Sequence, residues 1–152
     1  MKKVRGLAVL EFTLIASTLM LVLLAIFAIG HFVFTLQSVN ESTRIAARMA
    51  AVCQIGDGDI GTFVADNSYM NSVSAANIEI EYLDENANIL ASPSSEDVRF
   101  VRARAVDLDY QFIAILNFLG ENGLMTIPPF ETTIPNESLG LVPISGESNT
   151  DC

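Results

Sequence analysis

The chain has 152 residues, with 18 Asp and Glu against 8 Lys and Arg, one His, two Cys and no Trp. That length supports one domain of modest size rather than two. From Gln37 onward 17 acids face five Arg (Arg44, Arg48, Arg99, Arg102 and Arg104), a net of −12, so electrostatic repulsion excludes nucleic acid as a partner.

Residues 1–6 carry Lys2, Lys3 and Arg5 and no acid. Phe12 to Leu36 then runs for twenty-five residues without a formal charge and without Pro. As a helix this stretch rises roughly 37 Å, more than a hydrocarbon core of about 30 Å. It is read as one transmembrane helix. A cleaved secretory signal competes, because Ala28-Ile29-Gly30 offers a small-x-small site. Its apolar region is too long for that, however, and His31-Phe32-Val33-Phe34 beyond the cut is still apolar. Basic residues on the N-terminal side alone place that end in the cytoplasm and the body on the exported side.

The helical pattern continues past the membrane. Gln37 to Val52 holds no Gly and no Pro, with Gln37, Glu41, Arg44 and Arg48 on one polar stripe. Val39, Ala46, Met49, Ala50 and Cys53 line another face. Small residues recur four apart, as Ser42-Ala46-Ala50 and Thr43-Ala47-Ala51, a spacing that lets a second element come close to the backbone. Two readings share that surface: the body of the same molecule packs there, or neighbouring helices do. Gly56-Asp57-Gly58 ends a helix expected to run continuously from Leu7 to Cys53.

The remainder reads as a small α+β head. A second short helix is expected over Ile60 to Val73. Asn77 to Leu83 alternates with period two and predicts a strand, followed by a turn at Asp84-Glu85-Asn86-Ala87-Asn88 and a return at Ile89-Leu90. Ser92 to Ser95 is a loop, Val98 to Phe112 a long strand, and Ile113 to Leu119 an apolar patch of ambiguous type. Ile127-Pro128-Pro129-Phe130 turns into a last strand, Phe130 to Ile134, and Gly146 to Asp151 is a polar tail.

No catalytic constellation emerges, and an enzyme is not expected. Nucleophilic catalysis of the Ser-His or Cys-His kind needs a His near the nucleophile. His31 lies in the apolar helix, where an interfacial role accounts for it. One His and two distant Cys do not make a zinc site. Asp57-Gly58-Asp59 hints at calcium but lacks the spaced ligands and distal Glu of such a loop. No cofactor or metal is expected. The pairs Glu79/Glu81 and Asp107/Asp109 each fall on one strand face and read as solvated. Asn40-Glu41-Ser42 and Asn136-Glu137-Ser138 match a glycosylation sequon, a frequent chance match.

Glu11 does not fit a plain anchor. A carboxylate in a membrane helix costs about 2.5–3.5 kcal/mol near the centre and less toward the edge, so it is a functional candidate by default. Were the chain cut after Gly6, Leu7 would carry a new amino group. The partner of Glu11 would then be that group on a neighbouring copy or a homologous subunit. The alternative is a Glu that snorkels to the headgroups.

Lys2-Lys3-Val4-Arg5-Gly6, then Leu7-Ala8-Val9-Leu10-Glu11-Phe12 and a long apolar helix, resembles a type IV prepilin signal. Within that class it is similar to the TadE-like pseudopilins, or minor pilins, of tight-adherence (Tad/Flp) pilus systems. Glu41 to Ala51, with small residues and regular Arg, resembles the family's segment beyond the membrane. Val98 to Phe112 and Phe130 to Gly140 sit where the family places its last strands. Ser17 stands where family members often carry Pro, so no kink is expected there.

The resemblance implies cleavage between Gly6 and Leu7 by a prepilin peptidase. It also implies assembly with the pilus platform and other pilin or pseudopilin subunits. The expected architecture is α+β: a leader (1–6), a transmembrane and stem helix (7–53), a periplasmic head with a short antiparallel sheet (54–145) and a flexible tail (146–152). The expected location is the bacterial inner membrane, single-pass, in contact with lipid, with possible entry into the filament. The expected role is pilus assembly or priming for adherence. A type II secretion pseudopilin or an unprocessed single-span periplasmic adaptor is the alternative. Two Cys in an exported chain predict a disulfide. Cys53–Cys152 within one molecule is favoured, because one chain supplies both thiols at high effective concentration. Cross-linking to a partner subunit through Cys152 is the rival.

Overall fold

A computed structural model of the chain describes residues 5–68, 73–112, 116 and 121–141. Its first element is helix α1, Arg5–Val52, 48 residues without interruption. At 1.5 Å per residue it is about 72 Å long. The expected continuous helix is present. There is no Pro to remove a backbone donor, and Gly30 sits in open space where no neighbour requires its lack of a side chain.

Helix α2, Asp59–Asp66, follows a turn in which Asp57 Oδ1 accepts from the Asp59 amide at 2.9 Å. This occupies one of the orphan donors at the helix start, a capping role for the acid that had hinted at calcium. The helix expected to reach Val73 stops at Asp66. Asn67 donates both its amide and its side-chain Nδ2 to the Phe63 carbonyl (3.1 and 2.8 Å), which closes the last turn.

A 3-10 turn, Ala75–Asn77, leads into strand β1, Ile78–Leu83. Strands β2 (Phe100–Ala105), β3 (Asp109–Gln111), β4 (Leu124–Thr126) and β5 (Phe130–Pro135) follow. Sheet order is β1-β2-β5, antiparallel throughout, and β3 and β4 form a second, two-stranded sheet.

The single strand expected from Val98 to Phe112 is two strands. Asn77 Nδ2 donates to the carbonyls of Val106 and Asp107 at 3.1 Å each, and Asp107 takes φ 52°. Those contacts turn the chain out of the ladder, so Asp107 and Asp109 do not share one strand face. The return at Ile89 is an isolated bridge to Leu83. Strand β4 was not expected. The expected tail from Gly146 and most of the Ile113 to Leu119 patch lie outside the described residues.

The chain divides into two compact units, Met1–Phe34 with Gln111–Met125, and Thr35–Tyr110 with Thr126–Cys152. In the second unit the stem of α1 supplies the wall of the core. Ala46, Ala47, Ala50, Ala51 and Thr43 are fully buried, as are Val101 and Ala103 of β2. Thr43 Oγ1 lies 3.3 Å from Thr132 Oγ1 of β5. Register places Thr132 beside Ala103, so small residues on the helix meet small residues on the central strand. This allows a close approach of backbone to backbone. Of the two readings of the four-residue repeats, packing against the body of the same molecule is the one observed. The polar stripe Gln37, Glu41, Arg44 and Arg48 is exposed, as its spacing predicts.

Candidate processing and assembly site

Gly6 and Leu7 lie in the first turns of α1, and Leu7 is exposed. That turn contains no acidic residue to offset the positive end of the helix dipole. Glu11 follows one turn after Leu7, also exposed, among Leu7, Leu10, Phe12, Leu14 and Ile15, which are 61–70% exposed. Among the described residues Glu11 has no ion-pair partner. The described chain thus places Gly6 and Leu7 in the first turns of α1, with Leu7 and Glu11 exposed one turn apart.

The helix beyond them is built to be apolar on all sides. From Leu7 to Phe34 most large side chains stay exposed, Phe27 at 73%, with Leu24 and Phe32 half-buried. The few hydroxyls are satisfied within the helix: Thr13 donates to the Leu10 carbonyl, Ser17 to Leu14, and Thr18 to Leu14 and Ile15, all at 2.9–3.0 Å. Such back-bonding leaves little polar demand on the surroundings. The segment is long and apolar enough to cross a membrane.

At the other end of α1, Cys53 is buried, its amide bonded to the Met49 carbonyl at 2.7 Å, and its sulfur is engaged in a disulfide. Cys152, its expected partner, lies outside the described residues. The last carbonyls of α1 are reached by a segment noted in the sequence only as a chance sequon and as the end of a last-strand region. Ala51 O accepts from the amides of Glu137 and Leu139 (3.2 and 3.1 Å), and Val52 O from the Gly140 amide and Ser138 Oγ (2.7 and 3.1 Å). Glu137 to Gly140 therefore form a latch on the helix end, while the Asn136 amide bonds to the Arg99 carbonyl at 3.0 Å. The signals that would have found it are Gly140 after a strand and a helix lacking its own C-terminal glycine.

Tyr82 also reaches this junction, its hydroxyl accepting from the Gly56 amide at 3.1 Å. Burial raises its ionisation above the ordinary value of 10.0, reinforced by the charge of Asp57 and partly offset by the Gly56 bond. The outer face of the β1-β2-β5 sheet is charged in rows. Arg102 meets Glu81 at 3.2 Å and Arg104 meets Glu131 at 3.0 Å. Glu79 and Glu81 thus lie on one polar strand face, opposite Arg104 and Arg102 in register.

The family model described as TadE-like protein matches residues 6–48. The match begins at Gly6, covers Leu7 and Glu11, and ends inside the stem. The chain is TadE-like over that segment, which supports a protein associated with Tad pili and anchored in a membrane through α1. Searches of curated proteins and of solved structures found no match.

Proposed function

We propose that this chain is a non-catalytic minor pseudopilin of a Tad-type pilus, cut between Gly6 and Leu7 by a prepilin peptidase. In this reading α1 anchors the mature protein in the inner membrane with its N-terminus cytoplasmic, and the head lies in the periplasm. There it joins other pilin or pseudopilin subunits on the pilus platform and contributes to assembly or priming for adherence. The observation that carries the reading is the coincidence of the TadE-like match, 6–48, with an uninterrupted helix exposing apolar side chains from Leu7 onward. Gly6 offers no side chain to obstruct a peptidase at the membrane face.

N-terminal sequencing of the protein from pilus-producing cells tests it. Leu7 is the expected first residue, and Gly6→Leu is expected to retain the leader. A dominant form beginning at Met1 overturns the reading in favour of an unprocessed adaptor. In the same cells Glu11→Leu is expected to be cut and inserted normally but to be depleted from pili and from the basal complex. Losing one partner of a desolvated ion pair costs about 3–5 kcal/mol. Normal recruitment of Glu11→Leu would mean that Glu11 merely snorkels.

A further inference from the structure

Phe32 of α1 and Phe112, next to β3, stack with ring centroids 5.3 Å apart at a tilt of 38°. Both belong to the unit formed by Met1–Phe34 and Gln111–Met125. One turn toward the N-terminus from Phe32, Ala28 is 1% exposed, while Ile26, Phe27 and Ile29 around it remain 57–73% exposed. Leu24 and Ala25 are half-buried. Leu24, Ala28 and Phe32 follow one another at helix spacing, so α1 is covered along one stripe about 12 Å long.

That stripe falls at a defined depth. A hydrocarbon core of about 30 Å takes about 20 helical residues. Counted from Leu7 they end at Ile26, and counted from Phe12 they end at His31. The stripe therefore straddles the far boundary of the core. The chain that groups with it is apolar in sequence, with no formal charge from Phe112 to Leu119. Leu124 is 45% exposed and Leu116 half-buried. The polar groups sit beside β3 and β4. Gln111 Nε2 donates to the carbonyls of Phe112 and Asn122 at 3.4 Å, and the Phe112 amide donates to the Gly123 carbonyl at 2.8 Å. Phe112 is buried, and the exposed Leu124 has its amide and carbonyl both bonded to the Glu121 backbone at 3.1 Å. An exposed apolar side chain on satisfied backbone, in the same unit as an exposed apolar helix, suits lipid better than water.

We propose that Phe112, Leu116 and Leu124 enter the same bilayer that α1 crosses, beside Ala28 and Phe32, giving the protein a second membrane contact on its exported side. This rests on the reading of α1 as a membrane span.

The chain has no Trp, so single tryptophans report their own surroundings. Full-length Leu116→Trp and Leu124→Trp are placed in phosphatidylcholine–phosphatidylglycerol vesicles with brominated acyl chains. Leu21→Trp marks the span, and Val52→Trp, 42% exposed at the far end of α1, marks water. The expected result is blue-shifted emission quenched by the brominated lipid at 116 and 124, as at 21 and unlike at 52. Quenching at 21 with 116 and 124 behaving like 52 overturns the proposal and leaves the span intact. No quenching at 21 overturns the span and the proposal together. Emission at 116 and 124 shielded from acrylamide yet unquenched by brominated lipid overturns the proposal in favour of cover by a second copy.

Discussion

Gly140 lies so close to Gln54 that a Cβ built on it would stand 2.8 Å from the Gln54 Cα and 3.0 Å from its amide nitrogen. Its φ of +77° is a conformation that side chains disfavour. The glycine that ends the latch is thus fixed twice, by backbone sign and by proximity. Gly140→Ala is expected to cost about 1–3 kcal/mol through strain and displacement of the latch. Gly58, with open space around it and no positive φ, is the control. Gly58→Ala is expected to be neutral or to stabilise slightly. Denaturant unfolding of the full-length protein in detergent compares the two.

The two cross-strand ion pairs differ in exposure. Arg102 and Glu81 are 20% and 19% exposed, Arg104 and Glu131 33% and 53%. Water screens the second pair more. Glu81→Gln is expected to lose about 1 kcal/mol and Glu131→Gln a few tenths. Double-mutant cycles with Arg102→Gln and Arg104→Gln measure each coupling, and equal couplings would contradict the ranking.

Asp84 and Tyr82 give pH dependence of opposite sense. Asp84 accepts from the Asn88 side chain at 3.0 Å and from the amides of Asn88 and Asn86 at 2.8 Å, and these bonds hold its carboxyl below the ordinary 3.8. Its contribution is present above 3.8 and is lost as pH falls through the lower folded value. Carboxyl-carbon resonances should show Asp84 titrating below 3.8. Tyr82 is raised by burial, so its contribution is present below 10 and is lost as pH rises through the higher folded value. Tyrosinate absorbance is expected to show late ionisation from Tyr82 and Tyr110, both raised by burial, and Tyr82→Phe should remove one of the two late steps.

The disulfide at Cys53 is expected to be made with Cys152 of the same molecule. The loop holds 98 intervening residues. Closing a loop of that size stabilises by at most about 4–5 kcal/mol. Thiol blocking followed by non-reducing electrophoresis decides it. An internal bond shifts the mobility of the monomer, and Cys152→Ser abolishes the shift. A dimer or mixed species means cross-linking between subunits.

The parts legible in the sequence are those whose signal is local and repeated. The charge-free run and the small-residue repeats announced α1, which runs from Arg5 to Val52 where Leu7 to Cys53 was expected. Period-two alternation announced β1. The break at Asp107 was not legible, because it is imposed by Asn77 from 30 positions away. Strand β4 has three residues, too few for a period to register. The latch was hidden for the same reason as the break: Glu137 to Gly140 carry no pattern of their own, and their role is defined by carbonyls on a distant helix end. At the candidate site the residue types Gly6, Leu7 and Glu11 were visible at once. Their place at the start of one unbroken helix, with Leu7 and Glu11 exposed, is what the fold adds.

Ser138 reaches Val52 across 86 positions of chain, and that span sets a timetable. A chain made from its N-terminus delivers α1 long before residues 137 to 140. Until they appear, the carbonyls of Ala51 and Val52 lack these partners. Contacts of such long range are slow to form because the intervening loop must be ordered first. The stem is therefore formed while its far end is still unfinished. A chain halted just before Glu137 would have its sheet but not the bonds that close the end of α1. Arrival of residues 137 to 140 and capping of the helix end are, in this chain, one step.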